Sequence, residues 1–186
     1  MSTLIFKKVK LEQIAKALTE GVDLQDVQPV QLAIGRRVEF EYGGNTFGMM
    51  VQPYSEETRD WLPSIVSPDQ DLKGYYNFGF DFEGLTQREK KQSYKELAKP
   101  LATIVKSFIE WLKQKRPKMV TFYADGATAE ERKKKLNLYV ALLNRESNAL
   151  RGLGYTWDYA NTKMADQAVV VWQVEKERNR AGGGGL

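Results

Sequence analysis

The sequence predicts an α/β (α+β) protein, and three patterns along the chain carry that expectation. Residues 37–52 alternate apolar and polar side chains on either side of a glycine pair, which is typical of a β-hairpin. Residues 97–112 repeat large apolar side chains at helical spacing. The short apolar run 119–123 precedes Thr128 and Glu131, which form a capping-box pattern at a helix start. Strands that alternate with helices predict helices packed on a sheet.

The hairpin is the clearest element of the first half. Val38, Phe40 and Tyr42 share one face of the first strand, because alternate residues of a strand point the same way. The turn at residues 43–45 supplies two glycines and an asparagine, which tolerate positive φ. Residues 53–71 contain three prolines and few repeating apolar positions, so they predict a long surface loop.

Residues 74–82 predict a third strand with one strongly apolar face. Alternating aromatic rings on a sheet can stack single-stranded bases, or they can form the inner face beneath a helix. The long helix that follows needs an apolar partner, and this favours core packing. The aromatic residues at alternate positions are Tyr76, Phe78, Phe80 and Phe82.

The long helix is predicted around residues 97–112 and ends before Pro117. Pro100 is placed in its first turn, where the missing N–H costs nothing. Residues 86–98 predict a separate, charged lead-in helix.

The second half predicts a strand, a helix and a pair of strands. Residues 119–123 are short, apolar and bounded by turn residues, which fits a central strand. A helix is predicted from Ala129 to about Leu150, where glycines follow. Residues 155–159 and 167–174 predict a closing pair of strands.

The chain is predicted to form a single domain over residues 1–178, with a flexible glycine-rich tail at 179–186. Residues 1–35 predict an N-terminal extension that holds a short strand at 4–9 and an amphipathic helix at 11–18.

Composition removes several classes of chemistry. The 186 residues include no cysteine and no histidine. This excludes zinc fingers, cysteine nucleophiles and Ser-His-Asp triads. No disulfide can form, lysines interrupt the apolar N-terminus, and no apolar run is long enough to cross a bilayer. We therefore expect a cytoplasmic protein without a signal peptide or a membrane partner.

Charge is distributed unevenly along the chain. Residues 1–85 hold 8 Lys/Arg against 13 Asp/Glu, a balance of −5, whereas residues 86–118 hold 10 against 3, a balance of +7. Residues 119–151 carry +2, and residues 152–186 are neutral. A basic middle segment raises the question of an anionic partner.

Two groups of cations flank the strand at 119–123, and together they predict a binding patch for nucleic acid or an acidic protein. Cations early in a helix oppose its macrodipole, which favours a functional reason for them. The alternative is a solvated helix face with Glu130 and Glu131 as partners, and both interpretations stay open. The cations are Lys115, Arg116, Lys118, Arg132, Lys133, Lys134 and Lys135.

Trp61 in the loop and Trp111 on the polar side of the long helix are candidates for a contact surface, since aromatic residues anchor interfaces. Partial burial is the alternative for both. Asp81, Glu83 and Asp125 lie near strand ends, where carboxylates can hold Mg²⁺ or transfer protons. No spacing among them is diagnostic, so no metal site is predicted.

Residues 115–155 add a more specific pattern to the element order. They contain a Lys-Arg-Pro turn, the strand Met-Val-Thr-Phe-Tyr, an Ala-Asp pair, and a basic helix with Leu138-Tyr139 before Gly154-Tyr155. With the order of elements, this resembles the GNAT (Gcn5-related N-acetyltransferase) fold and a group of uncharacterised phage and bacterial proteins on the same plan. The resemblance runs from the hairpin to the last strands and implies a mixed central sheet packed by helices.

In active members of that family, backbone amides at the turn into the long helix hold the pyrophosphate of acetyl-CoA, with a Gln/Arg-x-x-Gly-x-Gly/Ala signature. The equivalent stretch here begins with Gln87-Arg88, the nominal cofactor-binding residues, but has no glycine after Gly84. Side chains would hinder the approach of backbone N–H groups to phosphates. The resemblance makes Tyr139 the nominal general acid, although its helical spacing also fits a packed aromatic. The distance from Tyr139 to Gly154 exceeds that of the compact Leu-Tyr-x-x-x-Gly-Phe motif.

These departures lead to the prediction of a non-catalytic GNAT-like binding or structural protein without a cofactor. The resemblance implies a phage-encoded accessory or virion-associated role, in the bacterial cytoplasm or the virion. One alternative is an N-acyltransferase that uses acetyl-CoA with an atypical pyrophosphate loop. Another is a host-takeover protein that binds one bacterial enzyme.

Overall fold

The computed structural model describes residues 27–83, 94–124, 128–162 and 168–174. The predicted strand at 4–9, the predicted helix at 11–18 and the glycine-rich tail lie outside these residues.

Within the described residues the elements follow the predicted order. The strands are β1 (Val38–Tyr42), β2 (Asn45–Pro53), β3 (Tyr75–Glu83), β4 (Met119–Tyr123), β5 (Tyr155–Ala160) and β6 (Ala168–Gln173). The helices are a 3-10 helix (Glu56–Trp61), α1 (Tyr94–Lys115), α2 (Ala129–Arg145) and α3 (Ser147–Gly152).

The strands form one six-stranded mixed sheet in the order β1-β2-β3-β4-β6-β5. Strands β3 and β4 are parallel and are joined through α1, while every other neighbouring pair is antiparallel. Parallel neighbours need a crossover connection, which the long helix provides. The predicted class, an α/β (α+β) protein with a mixed sheet packed by helices, is confirmed.

The hairpin prediction is confirmed with a two-residue turn. Tyr42 pairs with Asn45, so Gly43 and Gly44 alone form the turn, with φ of 59° and 82°. Positive φ at both central residues is the geometry that matches the twist of the flanking strands. Asn45 already belongs to β2 and is buried.

Strands β3 and β4 pair over only three residues. Tyr75, Tyr76 and Asn77 oppose residues 119–121. Beyond Asn77, β3 continues to Glu83 beside β2, and β4 continues to Tyr123 beside β6. The two neighbouring strands therefore part in the middle of the sheet, and side chains must fill the space between them.

Aromatic rings fill this space on the face of the sheet that α1 and α2 cover, called the helical face below. The ring centroid of Phe78 lies 5.1 Å from that of Phe108 on α1. Tyr139 on α2 lies 5.7 Å from Phe80 and 5.8 Å from Phe122. All five rings are buried, which confirms that the aromatic strand faces the core. The cavity that remains among them has a volume of about 30 Å³.

Helix α1 is longer at its start than predicted. It begins at Tyr94, so residues 94–98 belong to it and Pro100 lies inside it, beyond the first turn. The predictions of a separate helix reaching residue 98 and of a first-turn proline were wrong, while residues 86–93 lie outside the described part of the chain. The helix ends at Lys115, two residues before Pro117, as predicted.

The helix predicted to run from Ala129 to about Leu150 is interrupted. Helix α2 ends at Arg145, and Glu146 adopts φ −94° and ψ 9° before α3 begins. After this turn Leu150 is buried, and the Trp157 indole N–H donates to the Ser147 hydroxyl at 3.3 Å. Core packing therefore overrides the continuous helical pattern.

The opposite face of the sheet, called the second face below, carries an ion pair across β2. The Arg37 guanidinium bonds to Asp81 on β3 and to Glu39 on β1, at 2.8 Å for the latter. Gly48 lies between these carboxylates in the sheet register. A Cβ atom at position 48 would overlap the guanidinium, whereas one at Gly79 on the same face would meet nothing within 4 Å.

We expect Gly48→Ala to be less stable than Gly79→Ala by about 1 kcal/mol, because only the first displaces Arg37 from its partly exposed carboxylate partner. Both variants gain the same restriction of the unfolded chain, so their difference isolates the ion pair. Urea denaturation of the two proteins measures it. Equal stabilities would show that the Arg37 position contributes nothing.

Candidate functional site

A cleft of about 610 Å³ opens between the start of α2 and the end of β5. Two cations, an amide and a half-exposed phenol share its wall with apolar side chains. It is called the basic cleft here, and it is lined by Ala124, Ala129, Arg132, Lys133, Leu136, Asn137 and Tyr159.

Helical spacing explains why these α2 residues meet at the cleft. Arg132 lies one turn from Leu136, and Lys133 lies one turn from Asn137, so both pairs follow neighbouring rows of the helix. Leu136 is buried and anchors the helix to the core. Tyr159 comes from β5, where it is 50% exposed and its ring meets Trp157 edge to face at 6.2 Å.

The next two cations of α2 do not belong to this wall. The Lys134 ammonium forms an ion pair with the Glu130 carboxylate at 2.8 Å, and its hydrogen bond lowers the pKa of Glu130. Lys135 is buried, with 5% of its surface exposed. The four consecutive cations therefore do not form one exposed patch, because a helix turns neighbouring residues to different sides.

The two predicted groups of cations are also far apart. Lys115, Arg116 and Lys118 lie where β4 begins, and the basic cleft lies where it ends. The six residue steps from Lys118 to Ala124 span roughly 20 Å at the usual rise of a strand. The predicted patch is therefore divided between the two ends of β4, and its role in binding stays a prediction.

Arg116 has a structural position. Its guanidinium donates to the Leu153 carbonyl oxygen at 2.6 Å and lies over the Tyr155 ring, 5.2 Å from the centroid. Arg116 itself adopts φ 49° in the turn between α1 and β4. It therefore ties this turn to the end of α3, although it is exposed, as are Lys115 and Lys118.

Trp111, predicted as a surface contact, is a core residue. It is 3% exposed, and its ring meets Tyr76 edge to face at 5.3 Å and stacks near Phe108 at 6.3 Å. The prediction failed because β3 presents Tyr76 to the side of α1 that the sequence pattern assigned to solvent.

Tyr139, the nominal general acid of the resemblance, is 4% exposed between Phe80 and Phe122. Its hydroxyl donates to the Tyr123 carbonyl oxygen at 3.3 Å. The packed-aromatic interpretation accounts for this position. Gln87 and Arg88 lie outside the described residues.

Trp61 belongs to a second cleft, of about 440 Å³, on the second face of the sheet. Trp61 is 38% exposed, so its ring is accessible from solvent, and its role as a contact residue stays a prediction. Three aromatic rings meet in this space, which is called the aromatic cleft. Its lining residues are Gly35, Gln52, Pro53, Tyr54, Thr58, Trp61, Asn77 and Tyr123.

A chain of hydrogen bonds fixes the floor of the aromatic cleft. The Asn77 amide donates to the Thr121 hydroxyl at 3.1 Å, and the Thr121 and Tyr54 hydroxyls lie 2.5 Å apart. Tyr123 donates to the Trp61 carbonyl oxygen, so Tyr54 donates to Tyr123 and accepts from Thr121. Each of the three hydroxyls in this series of hydrogen bonds has a partner. Hydrogen bonds linked in series strengthen one another in a low dielectric.

Burial raises the pKa of both phenols in this chain. For Tyr54 the loss of water contact is the largest cause, and the neighbouring Tyr123 adds to it. For Tyr123 burial outweighs the hydrogen bonds from Tyr54 and Thr121, which act in the opposite direction. Both phenols therefore stay neutral and act as hydrogen-bonding groups.

Tyr54, Tyr123 and Asn77 were not predicted as site residues. Two of them left a signal, since Asn77 interrupts an aromatic strand and Tyr123 closes an apolar one with a polar tip. Tyr54 lies in a loop, where no periodicity assigns its side chain to a face.

Carboxylates do not converge within the described residues. Asp81 pairs with Arg37, and no group of three or more acidic residues in that part of the chain could hold a metal ion. Among the same residues, no helix is both long and apolar enough to span a bilayer.

We expect stability to fall as the pH rises above 10, because the unfolded phenols ionise there while folded Tyr54 keeps its proton. The stabilisation that the buried Tyr54 phenol contributes is fully present below pH 10. It is lost as the pH rises towards the raised pKa of Tyr54 in the folded protein. The Tyr54→Phe variant lacks this phenol, so its free energy of unfolding should fall less steeply with pH, by up to about 1.4 kcal/mol per pH unit. Urea titrations between pH 8 and 11 measure the slope, with exposed Tyr159→Phe as control. An unchanged slope in Tyr54→Phe would contradict the burial argument.

Comparison with known proteins leaves the family open. No family model matches this chain, and no curated protein or solved structure shows a significant similarity to it. The GNAT-like assignment therefore stays a prediction that rests on residues and element order.

Proposed function

We propose that this is a non-catalytic binding protein with a GNAT-like scaffold, and that its basic cleft holds single-stranded nucleic acid. The observation that carries the proposal is the position of Tyr159, a half-exposed ring in the same cleft as Arg132 and Lys133. Single-strand sites combine cations for the backbone with aromatic rings for the bases.

The ring favours nucleic acid over an acidic protein. Carboxylates on a protein partner would be attracted by the cations alone and would gain little from a phenol face. A base gains about 1–3 kcal/mol from stacking on an aromatic side chain. Asn137, exposed at the same wall, can donate to or accept from a base edge.

Two observations support the proposal that the GNAT-like scaffold does not transfer acetyl groups. Tyr139 is buried, and its hydroxyl donates to a backbone carbonyl oxygen. The space between β3 and β4 is filled by rings on the helical face, with about 30 Å³ left open. A general acid must reach the reacting atom at hydrogen-bond distance, and a phenol packed in this way has no room for a substrate beside it. The phage-encoded and virion-associated roles stay predictions.

We expect the protein to bind a fluorescent single-stranded oligonucleotide with an affinity that falls as salt rises. Removing two phosphate contacts in Arg132→Ala/Lys133→Ala should reduce the salt slope by about 1.4, at roughly 0.7 per phosphate on a single strand. Tyr159→Ala should weaken binding about tenfold or more without changing that slope. Fluorescence anisotropy across a salt series measures both quantities.

The matched control is Lys115→Ala/Lys118→Ala, which removes the same charge at the other end of β4. Equal losses in the two double variants would mean that net charge attracts the strand and that the cleft is not the site. Salt-dependent binding of polyglutamate with no effect of Tyr159→Ala would indicate an acidic protein partner. No binding at low salt would remove the proposal.

Acetyl-CoA titrated into the protein should give no binding heat in isothermal calorimetry. The N-acyltransferase alternative requires saturable binding of this cofactor. Binding that depends on Gln87 and Arg88, tested with the double alanine variant, would replace the proposal with that alternative.

A further inference from the structure

We propose that the aromatic cleft binds a methylated ammonium group, either on a small quaternary amine or on a methylated lysine side chain. The inference concerns the second face of the sheet and is independent of nucleic-acid binding at the basic cleft.

Two rings form a corner in this cleft. The ring centroids of Trp61 and Tyr123 lie 5.5 Å apart, and their planes are inclined at 64°. The phenol of Tyr54 completes the aromatic lining. Aromatic faces attract cations through their ring quadrupole, tryptophan most strongly, and cages of such rings recognise quaternary ammonium groups.

The charge around the cleft favours a positively charged ligand. None of its lining residues is charged, so nothing in the lining neutralises an anion. The loop that provides Trp61 is acidic, with five carboxylates against two cations in residues 53–73. Arg59 in this loop is already paired with Glu56 at 2.6 Å. The surrounding field therefore favours a cation.

The absence of carboxylates from the lining also favours a methylated ammonium group over a primary one. A primary ammonium has three N–H donors and loses water when it enters the cleft, so each donor would need an acceptor. A trimethylated nitrogen has no N–H group, and its charge is spread over methyl groups that pack against rings. The cleft is therefore better suited to the methylated group than to lysine itself.

The walls are held in place before a ligand arrives. The Trp61 carbonyl oxygen accepts from Tyr123, and the loop after it is tied to the end of β5 by the Ser64 N–H, which donates to the Asn161 carbonyl oxygen at 2.8 Å. Pro63 forms an isolated bridge with Thr162 at the same place. A preformed site avoids the entropic cost of ordering its walls on binding.

Choline and its neutral carbon isostere, 3,3-dimethylbutan-1-ol, provide the decisive comparison on the unmodified protein. They share size and shape and differ in charge, so a cation–π site should bind choline about tenfold more tightly or better. Isothermal calorimetry gives both dissociation constants. Equal binding of the two would identify a merely apolar cleft, and binding of neither would overturn the proposal.

A trimethyllysine peptide and the same peptide with unmodified lysine then distinguish the two sources of the group. Tighter binding of the methylated peptide than of choline points to a protein-borne ligand, and the reverse points to a free amine. Preference for unmodified lysine would contradict the argument from N–H donors.

Variants locate the site. Trp61→Ala should abolish the preference for choline over its isostere, while Trp61→Phe, which keeps a ring, should retain part of it. Ile65→Ala is the matched control, since Ile65 is a 73% exposed apolar residue of the same loop that does not line the cleft. A preference for choline that survives Trp61→Ala would place the cation elsewhere and overturn the assignment.

Discussion

The parting of β3 and β4 is the constraint on which the rest of the structure depends. Parallel pairing ends at Asn77 and Thr121, after which each strand keeps its antiparallel neighbour and loses the other. A gap between strands would leave backbone polar groups and apolar side chains in water. Rings fill it on the helical face, and a chain of hydroxyls with a tryptophan loop covers its edge on the second face. The packed rings form part of the core, and the hydroxyls and the tryptophan loop form the wall of the aromatic cleft.

The end of β4 separates the two clefts. Tyr123 lines the aromatic cleft and Ala124, the next residue, lines the basic cleft. Consecutive residues of an extended chain point to opposite sides, so the sheet itself divides the two sites. Their electrostatic character also differs, since α2 places two cations in the wall of the basic cleft, while the lining of the aromatic cleft is uncharged and belongs in part to an acidic loop at residues 53–73. The two proposed ligands, which differ in the sign of their charge, would therefore not compete for one site.

The local chemistry of the chain was sufficient to predict the order of the strands and main helices, but not every helix boundary, and insufficient to predict what meets in space. Glycines 43 and 44 determine the hairpin, and apolar runs locate the central strands, because these features act over a few residues. Trp111 and the basic groups were misplaced since their surroundings come from distant segments: β3 buries Trp111, and the length of β4 separates Lys118 from Arg132. In the aromatic cleft, a hydrogen bond joins Tyr54 and Tyr123, which are 69 positions apart, and no spacing in the sequence encodes that pairing.

Both the ring and the hydroxyl of Tyr139 have structural roles. The GNAT resemblance would assign the hydroxyl of this tyrosine a role as general acid, yet the ring itself has a packing role. It touches Phe80 from β3 and Phe122 from β4, so it bridges the two strands where they part. The hydroxyl donates to the Tyr123 carbonyl oxygen at the end of β4, which satisfies a backbone acceptor close to the gap. Phenylalanine would fill the same space but leave that hydrogen bond unmade, so packing and the hydrogen bond to the backbone together account for a tyrosine at this position.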